Sequence, residues 1–99
     1  MEIVILQEND TITVNIEGRL DTVTAPELEN AVKPNIGKSA VLVFNCDKLQ
    51  YVSSAGLRVV LSTYKQVAAA GGRFIVKNLN SEVKSVFDLT GFSKILVIE

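Results

Sequence analysis

The sequence predicts an α/β domain: a mostly parallel mixed sheet with an antiparallel N-terminal edge strand and helices packed on it. Three observations point there. Thr11 to Glu17 alternates, with Ile12, Val14 and Ile16 on one side and Thr11, Thr13, Asn15 and Glu17 on the other, the period of a half-buried strand. Ala40-Val41-Leu42-Val43-Phe44 is a continuous apolar run, the pattern of a central strand buried on both faces. Between Leu57 and Ala68, apolar residues recur every three or four positions, as on an amphipathic helix. Alternation of such segments gives the order β-β-α-β-α-β-α-β, and right-handed crossovers then make most of the sheet parallel.

Each element follows from local signals. Ile3 to Leu6 is a short apolar strand, Asn9-Asp10 a turn, and Thr11 to Glu17 the hairpin partner, ended by Gly18. Arg19 to Val23 reads as a loop. Thr24 is placed to cap a helix, with Pro26 and Glu27 in its first turn and a Thr24/Glu27 capping box. Leu28, Ala31 and Val32 form its buried stripe; Pro34 and Gly37 close it. After the Ala40–Phe44 strand, residues 45–50 lead out and Tyr51-Val52 reach a serine pair. The next helix buries Leu57, Val60, Leu61, Tyr64, Val67 and Ala68, and Gly71-Gly72 stops it. Arg73 to Val76 is a strand. Asn80 or Ser81 caps a third helix with Val83, Val86, Phe87 and Leu89 on its apolar side, and Gly91 ends it. Lys94 to Ile98 is the last strand.

Composition narrows the chemistry. The 99 residues are 47% hydrophobic and carry a net charge of −1, which suits one globular domain over residues 1–99. Lys and Arg are dispersed, so no nucleic-acid partner is expected. No apolar run approaches a membrane span, and Met1 leads straight into strand pattern, so neither a membrane anchor nor a signal peptide is expected and the cytoplasm is the default location. Cys46 is the single cysteine and there is no histidine, which excludes an internal disulfide, imidazole catalysis and His-ligated metal. No GxGxxG or P-loop pattern is present. No cofactor and no metal are expected.

Val52-Ser53-Ser54-Ala55-Gly56-Leu57 is the most informative stretch. It places two hydroxyls where a helix begins. Taken alone, such a pair is usually an N-cap. A catalytic serine would need a base within reach, and the GxSxG elbow is absent. A regulatory phosphoserine is the third role. At a helix N-terminus a phosphate meets free N–H groups and the positive dipole end.

Resemblance separates these roles. Gly18-Arg19-Leu20-Asp21 with Thr24-Ala25, Val41 to Asn45, Leu49 to Val52, Ser54-Ala55-Gly56-Leu57, Tyr64-Lys65-Gln66, Gly71-Gly72 and Val83 to Phe92 together resemble the anti-sigma factor antagonists, the single-domain members of the STAS family. The likeness covers nearly the whole chain. It implies a regulatory protein, not an enzyme. In that family the serine two places before the motif glycine accepts phosphate, here Ser54, with Ser53 the second choice. A partner serine kinase that is also the anti-sigma factor modifies it. The unmodified form binds that factor and frees the sigma factor, the modified form does not bind, and a serine phosphatase resets the switch. Two positions depart from the commonest motif: Ser53 stands where Asp is usual and Ala55 where Ser or Thr is usual.

The partner-binding residues expected on this basis are Asp21, Thr22, Thr24, Ser53, Ser54, Ala55, Gly56, Arg58, Val59 and Ser62. Asp21 is read either as a partner contact or as an Asx-turn residue, and Thr24 chiefly as a cap. Arg58, Val59, Ser62 and Thr63 fall off the apolar stripe, so an exposed Val59 beside Arg58 is expected. Cys46 reads as a small core hydrophobe, and Tyr51 and Tyr64 as half-buried rings with wet hydroxyls. Glu27 and Glu29 read as a solvated helix face. A monomer is expected for the free protein. The alternative function is a STAS module without phosphorylation, a structural subunit of a transport or signalling assembly. A nucleotide carrier using the serine-pair helix is a third.

Overall fold

A computed structural model describes residues 1–99. β1 (Glu2–Glu8) and β2 (Thr11–Leu20) form the antiparallel hairpin, paired so that Ile5 faces Val14. Asn9 turns the corner at φ 55°, a conformation that asparagine tolerates. α1 (Ala25–Val32) runs into a 3₁₀ turn at Lys33–Asn35, where Pro34 ends regular helix. β3 (Val41–Val52), α2 (Ser54–Ala69), β4 (Arg73–Lys77), α3 (Ser81–Leu89) and β5 (Val97–Ile98) follow. The strand order is β1-β2-β3-β4-β5, and every pair after the hairpin is parallel.

Three successive crossovers step across the sheet in one direction. Crossovers of one hand then stack all three helices on the same face. One 21-residue buried cluster accordingly joins Leu28 and Val32 of α1, Leu57, Val60 and Val67 of α2, and Val83 and Phe87 of α3 with Ile12, Val14, Leu42, Phe44, Phe74 and Val76 of the sheet. Phe44 meets Phe74 edge to face with centroids 4.8 Å apart, worth about 0.5–1.5 kcal/mol beyond their buried area. The shortest principal extent of the Cα trace, 19 Å, fits two layers. On the opposite face the register aligns Leu6, Thr13, Val43, Ile75 and Val97 in one row. Val43 and Ile75 are buried within that row by flanking strands, so the central strand is buried on both faces although helices cover only one.

Several boundaries differ from the expectation. Gly18 does not end β2; at φ 106° it lies inside the strand beside a register shift. β3 does not stop at Phe44 but continues to Val52. Between Asn45 and Lys48, and again between Leu49 and Tyr51, it contains one more residue than β2 opposite. These are bulges, and each adds local bend and twist. An asparagine chain braces the first: Asn45 Nδ2 donates to Asn15 Oδ1 at 2.7 Å, and Asn78 Nδ2 donates to Asn45 Oδ1 at 2.9 Å. The last strand is only Val97–Ile98, because Phe92–Lys94 winds as a 3₁₀ turn after the left-handed Gly91. Leu89 is exposed, not buried: two residues beyond Phe87 it falls about 200° around α3.

Candidate functional site

β2 and β3 end side by side, and each delivers one half of the site. Leu20 pairs with Val52, and the next residues, Asp21 and Ser53, leave the sheet together. The Ser53 N–H donates to the Leu20 carbonyl oxygen at 2.8 Å, which ties the two exits.

The first half is a tight turn built on Asp21. Its Oδ1 accepts the N–H groups of Val23 and Thr24, both at 3.0 Å, and its carbonyl oxygen accepts from Ala25 N–H at 2.8 Å. The Asx-turn reading of Asp21 is therefore present, and Asp21 itself does the capping assigned to Thr24. Thr24 makes no side-chain cap and no capping box with Glu27. Its backbone is already αR at φ −89°, ψ −18°, the wrong geometry for a cap, which needs an extended residue. Its hydroxyl instead accepts from Asp21 N–H at 2.9 Å and donates to Arg19 O at 2.7 Å, closing the turn on the strand. The Thr24 N–H, followed by its hydroxyl and the Val23 N–H, holds the Asp21 carboxyl below the usual aspartate value against partial desolvation. Thr22 and Val23 project outward, and Val23 is 78% exposed.

The second half is the start of α2. Ser53 is the N-cap: its backbone is extended, and its Oγ accepts from Gly56 N–H at 3.3 Å. Ser54 is the first helical residue. It is exposed, and its hydroxyl has no hydrogen-bond partner within the chain. The two serines thus differ in chemistry: one is occupied as a cap, the other is free. Gly56 is buried against the end of β2. A Cβ there would lie 2.6 Å from Leu20 Cγ and 2.9 Å from the Leu20 carbonyl oxygen, so the helix approaches this closely only because the position lacks a side chain.

Arg58 follows Ser54 by one turn, is exposed, and takes part in neither ion pair of the structure, Lys77–Glu99 and Lys84–Asp88. Ala55 is half-buried. Ser62 lies two turns along, where its Oγ accepts from Gln66 Nε2 at 2.9 Å. Val59 is not exposed as expected: it is 7% accessible and joins the core, and Thr63 at 3% is buried beside it with its hydroxyl donating to Val59 O. The buried stripe of α2 is rotated toward Gly56, Val59 and Thr63 because the Gly56–Leu20 contact sets the helix azimuth. Ala68 is correspondingly exposed.

A further pair was not foreseen. The Arg19 guanidinium lies 4.2 Å from the ring centroid of Tyr51, its cross-strand partner next to the strand ends, and Tyr51 is exposed instead of half-buried. Tyr64 is half-buried and Cys46 is core, its thiol pushed up to about 12 by burial. The two main hollows, about 380 and 420 Å³, both lie on the helix-free side along β1 and β2. Neither is lined by α2.

The STAS domain family model matches residues 2–99. The chain belongs to the STAS domain family. The anti-sigma-B factor antagonist of Bacillus subtilis is 36% identical over 91 residues, covering 92% of this chain and 83% of the relative. Among solved structures, an anti-sigma factor antagonist from Mycobacterium paratuberculosis superposes with TM-score 0.89 at 24% identity, over 98% of this chain and 83% of that one. The Bacillus cell fate determinant SpoIIAA in its phosphorylated form superposes with TM-score 0.77 at 20% identity, over 99% of this chain and 91% of that one. These structural likenesses establish the fold.

Proposed function

We propose that this chain is an anti-sigma factor antagonist that acts by reversible binding, with Ser54 as its phosphorylation switch. The observation that carries the site is the division of labour between the serines. Ser53 is used as the cap, whereas the Ser54 hydroxyl is exposed and unbonded at the start of α2. A kinase reaches it without breaking any internal hydrogen bond. The phosphate adds about −1.5 to −2 charge at the strand ends that also carry Asp21, a carboxylate ionised at neutral pH as an ordinary aspartate is. Surface charge and bulk then exclude the partner while the fold stays intact.

The proposed partners are an anti-sigma factor with serine kinase activity and a serine phosphatase, all in the cytoplasm. The expected binding surface is Asp21, Thr22, Ser53, Ser54, Ala55 and Arg58, with Ser62 at its far edge. Gly56 and Val59 support it from beneath, and Thr24 from within the turn. Incubation with ATP and the anti-sigma kinase, followed by intact mass and peptide mapping, tests the switch. One phosphate on Ser54 that abolishes binding is the expected result. Phosphate confined to Ser53, or a Ser54 phosphoform that still binds, overturns it.

A further inference from the structure

We propose that the docking surface extends beyond the switch to the Arg19–Tyr51 pair and Val23, and that it fits a protein face presenting a carboxylate beside an apolar socket. This rests on the reading above that the chain binds an anti-sigma factor at the Asp21 and Ser54 segments.

Charge points to the partner's chemistry. In residues 19–24 and 51–58 the ionised groups are Arg19, Arg58 and Asp21, so the unmodified patch carries one net positive charge. Phosphate on Ser54 makes the same patch negative. A partner face bearing carboxylate is attracted in the first state and repelled in the second. A basic partner face would show the opposite preference and would bind the phosphoform.

Geometry locates the contact. Arg19 and Tyr51 are cross-strand partners, and the guanidinium is stacked 4.2 Å from the ring centroid. Stacking holds the fork in place while its N–H groups stay open, and no ion pair of the chain uses them. Preorganised Arg and Tyr side chains on an exposed surface are the residue types in which binding energy concentrates. The carbonyl oxygen of Arg19 accepts from the Thr24 hydroxyl, which ties the backbone under the pair to the Asp21 turn. On that turn Val23 is 78% exposed although its N–H is fixed to Asp21, an apolar side chain held outward on a rigid support.

The test measures affinity of the purified chain for its purified anti-sigma factor at low and high salt, with thermal melts of every variant. Arg19→Ala and Tyr51→Ser are expected to weaken binding tenfold or more, Arg19→Glu a hundredfold, and Val23→Ser about tenfold. Tyr51→Phe keeps the ring and is expected to bind within threefold. The salt dependence should flatten in Arg19→Ala. Folded Arg19→Glu and Val23→Ser proteins that bind within threefold of wild type overturn the inference. Ser54→Asp is the separate control: its loss of binding alongside unaffected Arg19 and Val23 variants leaves the switch standing and removes only the extended surface.

Discussion

Leu20 and Gly56 touch: a Cβ on Gly56 would sit 2.6 Å from Leu20 Cγ. The contact joins the end of β2 to the first turn of α2. Together with the Ser53 N–H to Leu20 O bond it makes one rigid body of the Asp21 turn and the serine pair, two segments over 30 residues apart. The motif glycine is therefore a packing requirement, and the site's shape depends on it.

Gly56→Ala should be destabilising despite the better helix propensity of alanine. The added methyl meets a backbone oxygen at 2.9 Å, which cannot yield as a flexible side chain would. Overpacking of this kind costs about 1–3 kcal/mol, against about 1 kcal/mol gained from propensity in an open helix. A lower denaturant midpoint with an unchanged slope is the expected result, with weaker partner binding as the helix is pushed from β2.

The two serines should separate cleanly in stability measurements. Ser53→Ala removes the cap and should cost about 0.5–1 kcal/mol, the low end of the capping range because the bond is 3.3 Å long. Ser54→Ala removes a hydroxyl with no partner and should fall within about 0.5 kcal/mol of wild type. Urea titrations of both variants check this; equal losses would mean that the serines share the cap.

How much of this was readable in the sequence depends on whether period and contact agree. Ile12, Val14 and Ile16 keep period two, and β2 is found where they place it. Along β3 the core residues after Phe44 are Cys46, Leu49 and Val52. Two bulges space successive core positions three residues apart instead of two, which erases the strand signal and hides the exposure of Tyr51. The azimuth of α2 was likewise hidden, because Gly56 and Thr63, not apolar by type, face inward. The Asp21 turn was half visible: Asx-turn chemistry is local, whereas the capture of the Thr24 hydroxyl by Arg19 O depends on how β2 ends. Ser54 is singled out in the sequence only by family likeness; its difference from Ser53 needs the helix start to be located to one residue.

Asp21 should titrate below 3.8, the ordinary aspartate value, because the Thr24 N–H foremost favours the charged form. The sign follows from linkage. A folded pKa below the unfolded one gives a contribution that is fully present above the unfolded value and is lost as pH falls through the folded one. Stability tied to the turn should therefore be constant from neutral pH to about 5 and decline only in the acid range near and below 3.8. Carboxyl chemical shifts of Asp21 against pH measure it directly. Asp21→Ala should remove that acid limb and loosen the Val23 and Thr24 amides to hydrogen exchange.

Ser54→Asp should leave the fold as stable as wild type or slightly more so while binding is lost. A negative group at the first helical position gains about 0.3–1 kcal/mol from the helix dipole, and Arg58 stands one turn away to favour it. Asp21 opposes this through like-charge repulsion, screened at the exposed rim. For a domain of this size the net gain corresponds to a rise in Tm of no more than about 8 °C. Melting curves of Ser54→Asp with and without Arg58→Ala resolve the two contributions. A Tm several degrees below wild type would mean that charge at Ser54 unfolds the helix start, and binding would then be lost through the fold and not through the surface.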